Sequence, residues 1–125
     1  MAGDWRDALY TLLSEDATLS TLTNGHLDPV RSSETSACPR VTWLEVIGVP
    51  ENTLDGWSGT DRVRLQVDVW AAAPAEATTI KDRIRALMAP RNAAFSSVCI
   101  TDSDGPVDDG LGLYRRVLEF SLWTL

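Results

Sequence analysis

With 125 residues, 44% of them hydrophobic and 23% charged, the chain has the length and composition of one globular domain, residues 1–125, that buries its core without disulfide or metal support. Its net charge of -7 argues against a reader of nucleic acid, whose affinity comes from neutralising phosphates with Lys and Arg. No apolar run approaches the roughly 20 residues of a membrane span, and the opening Met1–Arg6 holds no apolar h-region, so neither a membrane partner nor a secretory signal is expected.

Asp4 precedes Trp5, Ala8, Leu9, Leu12 and Leu13, apolar residues at helical spacing behind an N-capping acid, which predicts a first helix of about 10 residues. Asp16 repeats the capping signal ahead of Ala17, Leu19 and Leu22, and Asn24-Gly25 stops that second helix. The segment His26 to Arg31 reads as a brief edge strand, because Pro29 removes a ladder donor. Ser32 to Pro39 is polar and irregular. Val41 to Val49 is the next strand, with apolar residues on both faces, as in a strand covered on both sides or one that uses a face in assembly. Pro50 to Asp61, holding Asn52, Asp55-Gly56 and Ser58-Gly59, is expected to be the long tip of a hairpin.

The following strand alternates cleanly. Val63, Leu65, Val67 and Val69 share one face, while Arg62, Arg64, Gln66, Asp68 and Trp70 share the other. A strand face carrying Trp beside Arg suits the docking of another chain. Leu54 and Trp57 in the hairpin tip join Arg62, Arg64 and Trp70 as candidates for that contact. Pro74 opens a third helix at a position where a missing N–H costs little, with an apolar stripe of Ala77, Ile80, Ile84, Leu87 and Met88, and Pro90 ends it. Phe95 to Thr101 and Leu113 to Leu125 are the last two strands. The order predicts an α+β fold, a mostly antiparallel sheet with helices packed on one side.

The acidic cluster Asp102, Asp104, Asp108 and Asp109 invites a calcium reading and fails it. An EF-hand loop starting at Asp102 would need an oxygen ligand at Pro106, glycine at Val107 and a bidentate acid at Leu113. A solvated acidic loop is expected instead. His26 stands alone, and no serine has a nucleophile-elbow context. The glycines at 56, 59, 105, 110 and 112 form no phosphate-binding pattern. Cys38 and Cys99 lie far apart with no second ligand pair, the pattern of two reduced thiols. No catalytic residue, metal site or cofactor is expected.

The helix with Ala8-Leu9-Tyr10 and Leu12-Leu13, the Pro39-Arg40-Val41 entry to a strand, Thr53-Leu54-Asp55-Gly56, Arg64-Leu65-Gln66-Val67-Asp68-Val69-Trp70-Ala71, the Glu76-Ala77 helix, and Gly112-Leu113-Tyr114-Arg115 with Phe120-Ser121 together resemble the tail completion, or tail terminator, proteins of long-tailed bacteriophages and prophages. Two positions depart from the usual pattern: Asp28 follows Gly25-His26-Leu27, and Cys38 precedes Pro39. The resemblance implies a non-enzymatic virion protein, made in the host cytoplasm and sited at the head-proximal end of the tail. It implies a ring, a hexamer, that caps the tail tube, ends its polymerisation and meets the head. The partners implied are further copies of itself, the major tail tube protein, the head-completion or stopper connector, and DNA passing through the lumen without specific binding. In such a ring the acidic segment Asp102, Asp104, Asp108 and Asp109 would face the lumen. Two alternatives stand beside this reading: another neck or tail-tube component, and a small α+β ligand-binding domain or enzyme, which a convergent apolar pocket with a perturbed acid would favour.

Overall fold

The computed structural model describes residues 5–23, 27–29, 39–54, 56–90, 94–105 and 114–124, with the backbone alone for 28–29, 49–53 and 57–61. Three helices, α1 (Trp5–Ser14), α2 (Ala17–Thr23) and α3 (Pro74–Met88), and five strands, β1 (Leu27–Pro29), β2 (Arg40–Thr53), β3 (Gly56–Ala71), β4 (Phe95–Asp104) and β5 (Tyr114–Thr124), follow the expected order. The strands form one sheet in the order β1-β2-β3-β5-β4. β1 runs parallel to β2, and the other three pairings are antiparallel.

The alternation along β3 decides which face is covered. Val63 faces Leu122, Leu65 faces Phe120 and Val67 faces Leu118 across the β3–β5 ladder, and all six side chains are buried. Val41 and Trp43 from β2 and Phe95 from β4 extend this surface. The helices lie on it through their apolar stripes: Leu9 and Leu13 of α1, Leu19 of α2, and Ala77, Ile80, Ile84 and Met88 of α3. Each fully buried Leu, Ile, Val or Phe contributes about 1.5–3 kcal/mol relative to exposure. The fold is α+β with its helices on one side of the sheet.

Local chemistry fixes the helix ends. Asp16 Oδ2 accepts the Leu19 N–H at 2.8 Å, an N-cap for α2. The same carboxylate receives Arg83 from α3, Nε at 2.9 Å and a terminal nitrogen at 2.5 Å. Pro74 occupies the first turn of α3 after Ala73 in extended conformation. At the end of β4 the Gly105 N–H donates to the Arg115 carbonyl at 2.8 Å. A Cβ at Gly105 would stand 2.7 Å from Arg115 Cδ and 2.9 Å from Val117 Cγ2, so those two side chains fill the space that glycine leaves.

Two segments differ from the sequence reading. The tip expected over Pro50 to Asp61 is mostly ladder: Pro50 pairs with Asp61, Asn52 with Trp57 and Thr53 with Gly56, with Leu54 in the turn and Gly56 at φ 116°. The breakers are absorbed by an irregular register between Pro50 and Asn52, where a bulge tolerates a residue without a donor. β4 likewise continues past Thr101 to Asp104. Its extra turns of ladder carry Asp102 opposite Leu118 and Asp104 opposite Arg116, on the helix side of the sheet.

Candidate assembly surface

Among the described residues no helix covers the face opposite the core. Across it run Arg40, Thr42 and Leu44 from β2, Arg62, Arg64, Gln66, Asp68 and Trp70 from β3, and Arg115, Val117, Glu119, Ser121 and Trp123 from β5. At one end Trp70 lies between two guanidinium groups, Arg40 at 5.4 Å and Arg115 at 4.9 Å from the ring centroid, a cation–π arrangement. Arg115 also donates to Asp68 Oδ1 through Nε at 3.1 Å and through a terminal nitrogen at 2.9 Å. Gln66 Nε2 reaches the same carboxylate at 3.2 Å. These contacts leave Asp68 buried and hold Trp70 half-buried.

The other end is open. Arg64 pairs with Glu119 at 3.0 Å, and beside it a shallow cleft of about 330 Å³ is lined by Ile47, Arg62, Arg64, Ile100 and Ser121. Ile47 is 55% exposed and Val98 56%. Leu54, at the hairpin tip, is fully exposed. The structure therefore brings Arg62, Arg64 and Trp70 onto one uncovered face and sets Leu54 apart at the end of the hairpin. The Trp57 side chain lies outside the described residues, although its backbone pairs with Asn52. Sequence reasoning missed Ile47, Val98 and Ile100. Register shifts between Glu45 and Ile47 and between Cys99 and Thr101 put Ile47 and Ile100 where simple alternation does not place them, whereas Val98 keeps the alternation that runs from Phe95.

A second cleft, of about 590 Å³, opens between α1 and β2 and is lined by Trp5, Tyr10, Trp43 and Leu44 with Arg6, Asp7, Glu45 and Leu65. The Tyr10 and Trp43 rings stand 6.2 Å apart at 49°, and the Glu45 carboxylate is taken up by Arg6.

The acidic cluster requires correction. Asp102 and Asp104 belong to strand β4, not to a solvated loop, and Asp108 and Asp109 lie outside the described residues. Asp102 sits among three cations: Lys81 at 3.0 Å, Arg85 at 3.1 Å, and Arg116. Arg116 also binds Asp104 at 2.7 Å, and Lys81, itself 9% exposed, binds Asp82 at 2.7 Å. Burial acts to raise the Asp102 carboxyl, but the hydrogen bonds from Lys81 and Arg116 prevail and hold it below the ordinary carboxylate range. This cluster ties α3 to β4 and β5. Among the described residues no group of three or more His, Cys, Asp or Glu could hold a metal ion. Cys99 is a half-buried free thiol on β4, while His26 and Cys38 lie outside the described residues. No helix among the described residues is long and apolar enough to cross a membrane.

Comparison with known proteins adds two findings. The model of the family described as Tail completion protein gp17 matches residues 7–125. A chain in the structure titled "Virion of native gene transfer agent (GTA) particle" shares the fold at a TM-score of 0.76 and 14% identity, over 93% of this chain and 90% of that one. No curated protein matches the sequence.

Proposed function

Because the chain belongs to the tail completion protein family, a structural component of the virion tail, we propose that it closes the head-proximal end of the tail tube as a ring of identical subunits. The ring stops further tube polymerisation and presents the surface that the head connector meets. The observation that carries this reading is the family match across residues 7–125, which takes in every element of the fold. The uncovered sheet face supports it: exposed Ile47, Val98 and Ile100 beside Arg62 and Arg64 are the mixture of apolar centre and arginine rim that protein interfaces favour. We assign that face and the Leu54 tip, with Trp57, to contacts with neighbouring subunits and the tube protein.

The role is structural, not catalytic. In the apolar cleft beside α1 the Glu45 carboxylate is taken up by Arg6. Six subunits make the ring, and the acidic segment that includes Asp108 and Asp109 lines its channel, where like charge keeps DNA phosphates from adhering. Asp102, held by three cations, takes no part in that lining.

The decisive experiment removes the gene and images the lysate. Filled heads unjoined to tails, with tails of irregular or excessive length, are expected. Normal virions in normal numbers would overturn the proposal.

A further inference from the structure

The sheet has two edges that no described strand covers. β1 pairs with β2 only over Val41, Thr42 and Trp43, so from Leu44 onward the outer edge of β2 has no partner among the described residues. On the other side β4 is the last strand. Both edges expose aliphatic side chains, Val46 and Ile47 on one and Val98 and Ile100 on the other. Of the devices that blunt such edges, each strand carries a register shift, but neither 44–48 nor β4 contains lysine or proline.

The two edges are complementary in direction. The pairings β2–β3, β3–β5 and β5–β4 are all antiparallel, so β2 and β4 run in opposite senses. A second copy set beside the first in the same orientation brings its β2 against β4 as an antiparallel neighbour, and the alternation of the sheet continues without a break. Side-chain phase agrees. Ile47 lies opposite Arg64, and Val98 lies opposite Ser121, itself the partner of Arg64; both therefore project from the uncovered face.

We infer that copies of this chain join head to tail through these edges, β4 of one against residues 44–48 of the next, so that one sheet runs through the assembly. The inference rests on the ring reading and names its joint. A contact of this kind uses different surfaces on its two sides, and it closes into a ring when its rotation divides a full turn. Backbone hydrogen bonds supply attraction along the joint, and Ile47 meeting Val98 supplies an apolar cross-strand pair.

Paired cysteines test the joint. In a Cys38→Ser, Cys99→Ser background, Ile47→Cys is combined with Val98→Cys, and Val46→Cys with Val98→Cys covers the neighbouring register. Cross-strand Cβ atoms about 4.5–5.5 Å apart come within disulfide reach after small adjustment. Tails carrying the variant are oxidised mildly and run on a non-reducing gel. A ladder of covalent multimers is expected from at least one double variant and none from the single variants. Hydrogen exchange on the unmodified protein reads the same joint, with backbone amides of 44–48 and of β4 slowing at least tenfold on assembly. A ring visible on tails with no ladder and no added protection overturns the joint and leaves the ring standing. A disulfide dimer formed as fully by a single variant, which has one cysteine per chain, overturns the head-to-tail arrangement. Tails with no ring at their ends overturn the ring reading and the joint together.

Discussion

Lys81 is the chain's one lysine, and it is buried. Its ammonium is held chiefly by Asp82 and then by Asp102, which raise its pKa against the cost of burial. Replacing Asp102 by Asn leaves Lys81 and Arg116 each short of a carboxylate, and a loss of about 2 kcal/mol is expected, the scale of a hydrogen bond to a charged group. Thermal unfolding at pH 7 measures it. The pH dependence follows from the same geometry. Asp16, held mainly by Arg83, and Asp102 both have folded-state acidities below the 3.8 of the free group. Their contribution is therefore complete above that pH and is lost as pH falls through the lower folded values. The thermal midpoint should drop between pH 5 and pH 2, and the drop should be smaller in Asp102→Asn; an equal drop would show that Asp102 does not carry it. At the centre of the core, Phe120→Ala should cost about 3–5 kcal/mol, read by denaturant unfolding.

At the scale of elements, the β2–β3 hairpin is the part that reaches furthest from the core. Leu54 at its tip is 108% exposed, so Leu54→Asp should shift stability by less than about 0.5 kcal/mol while weakening attachment to tubes in a co-sedimentation assay. The same outcome is expected of Trp57→Ser, and a stability loss of about 3 kcal/mol there would place Trp57 in the core. The helices were legible in the sequence because their caps are local: Asp16 before Ala17, Pro74 at the start of α3 and Pro90 after its end all act within a turn. β3 was legible because its apolar face is unbroken from Val63 to Val69. The ends of β2, β3 and β4 were not. Pro50, Gly59 and the aspartates of β4 have poor strand propensity, and what keeps them in the ladder is tertiary: an irregular register in the hairpin, and Lys81, Arg85 and Arg116 waiting for Asp102. Cations on a distant helix leave no mark on the local pattern. The uncovered face could be read from Arg62, Arg64 and Trp70, yet one of its most exposed apolar members, Ile47, follows a register shift that alternation does not reveal.

At the scale of the whole molecule, the charge is divided. Much of the chain is acidic, yet the uncovered face sets Arg40, Arg62, Arg64 and Arg115 against Asp68 and Glu119. A patch of this polarity on an acidic body favours contact with other acidic surfaces, including further copies, and disfavours loose self-association elsewhere. One joint per neighbour is a modest contact, weak in dilute solution and strong when a tube end offers several contacts at once. Light scattering of the free protein should therefore report a monomer or a weak, concentration-dependent oligomer, and tail ends should show sixfold density. A stable dimer in solution with no ring on tails would contradict this.

The position of β5 has a consequence for the time course of folding. It follows β4 in the chain and yet lies between β3 and β4, so β4 has no hydrogen-bonded neighbour until β5 has threaded into place beside β3. Even the nearest pair of the β3–β5 ladder, Ala71 with Tyr114, closes a long loop before any ladder energy is returned. Such non-local order places refolding in the millisecond-to-second range, well behind the microseconds in which the β2–β3 hairpin zips. During that interval the outer side of β3, destined for β5, is a vacant template, and chains crowded together at high expression will find one another there first. Slower synthesis and lower temperature should raise the soluble yield by letting each chain fill its own gap.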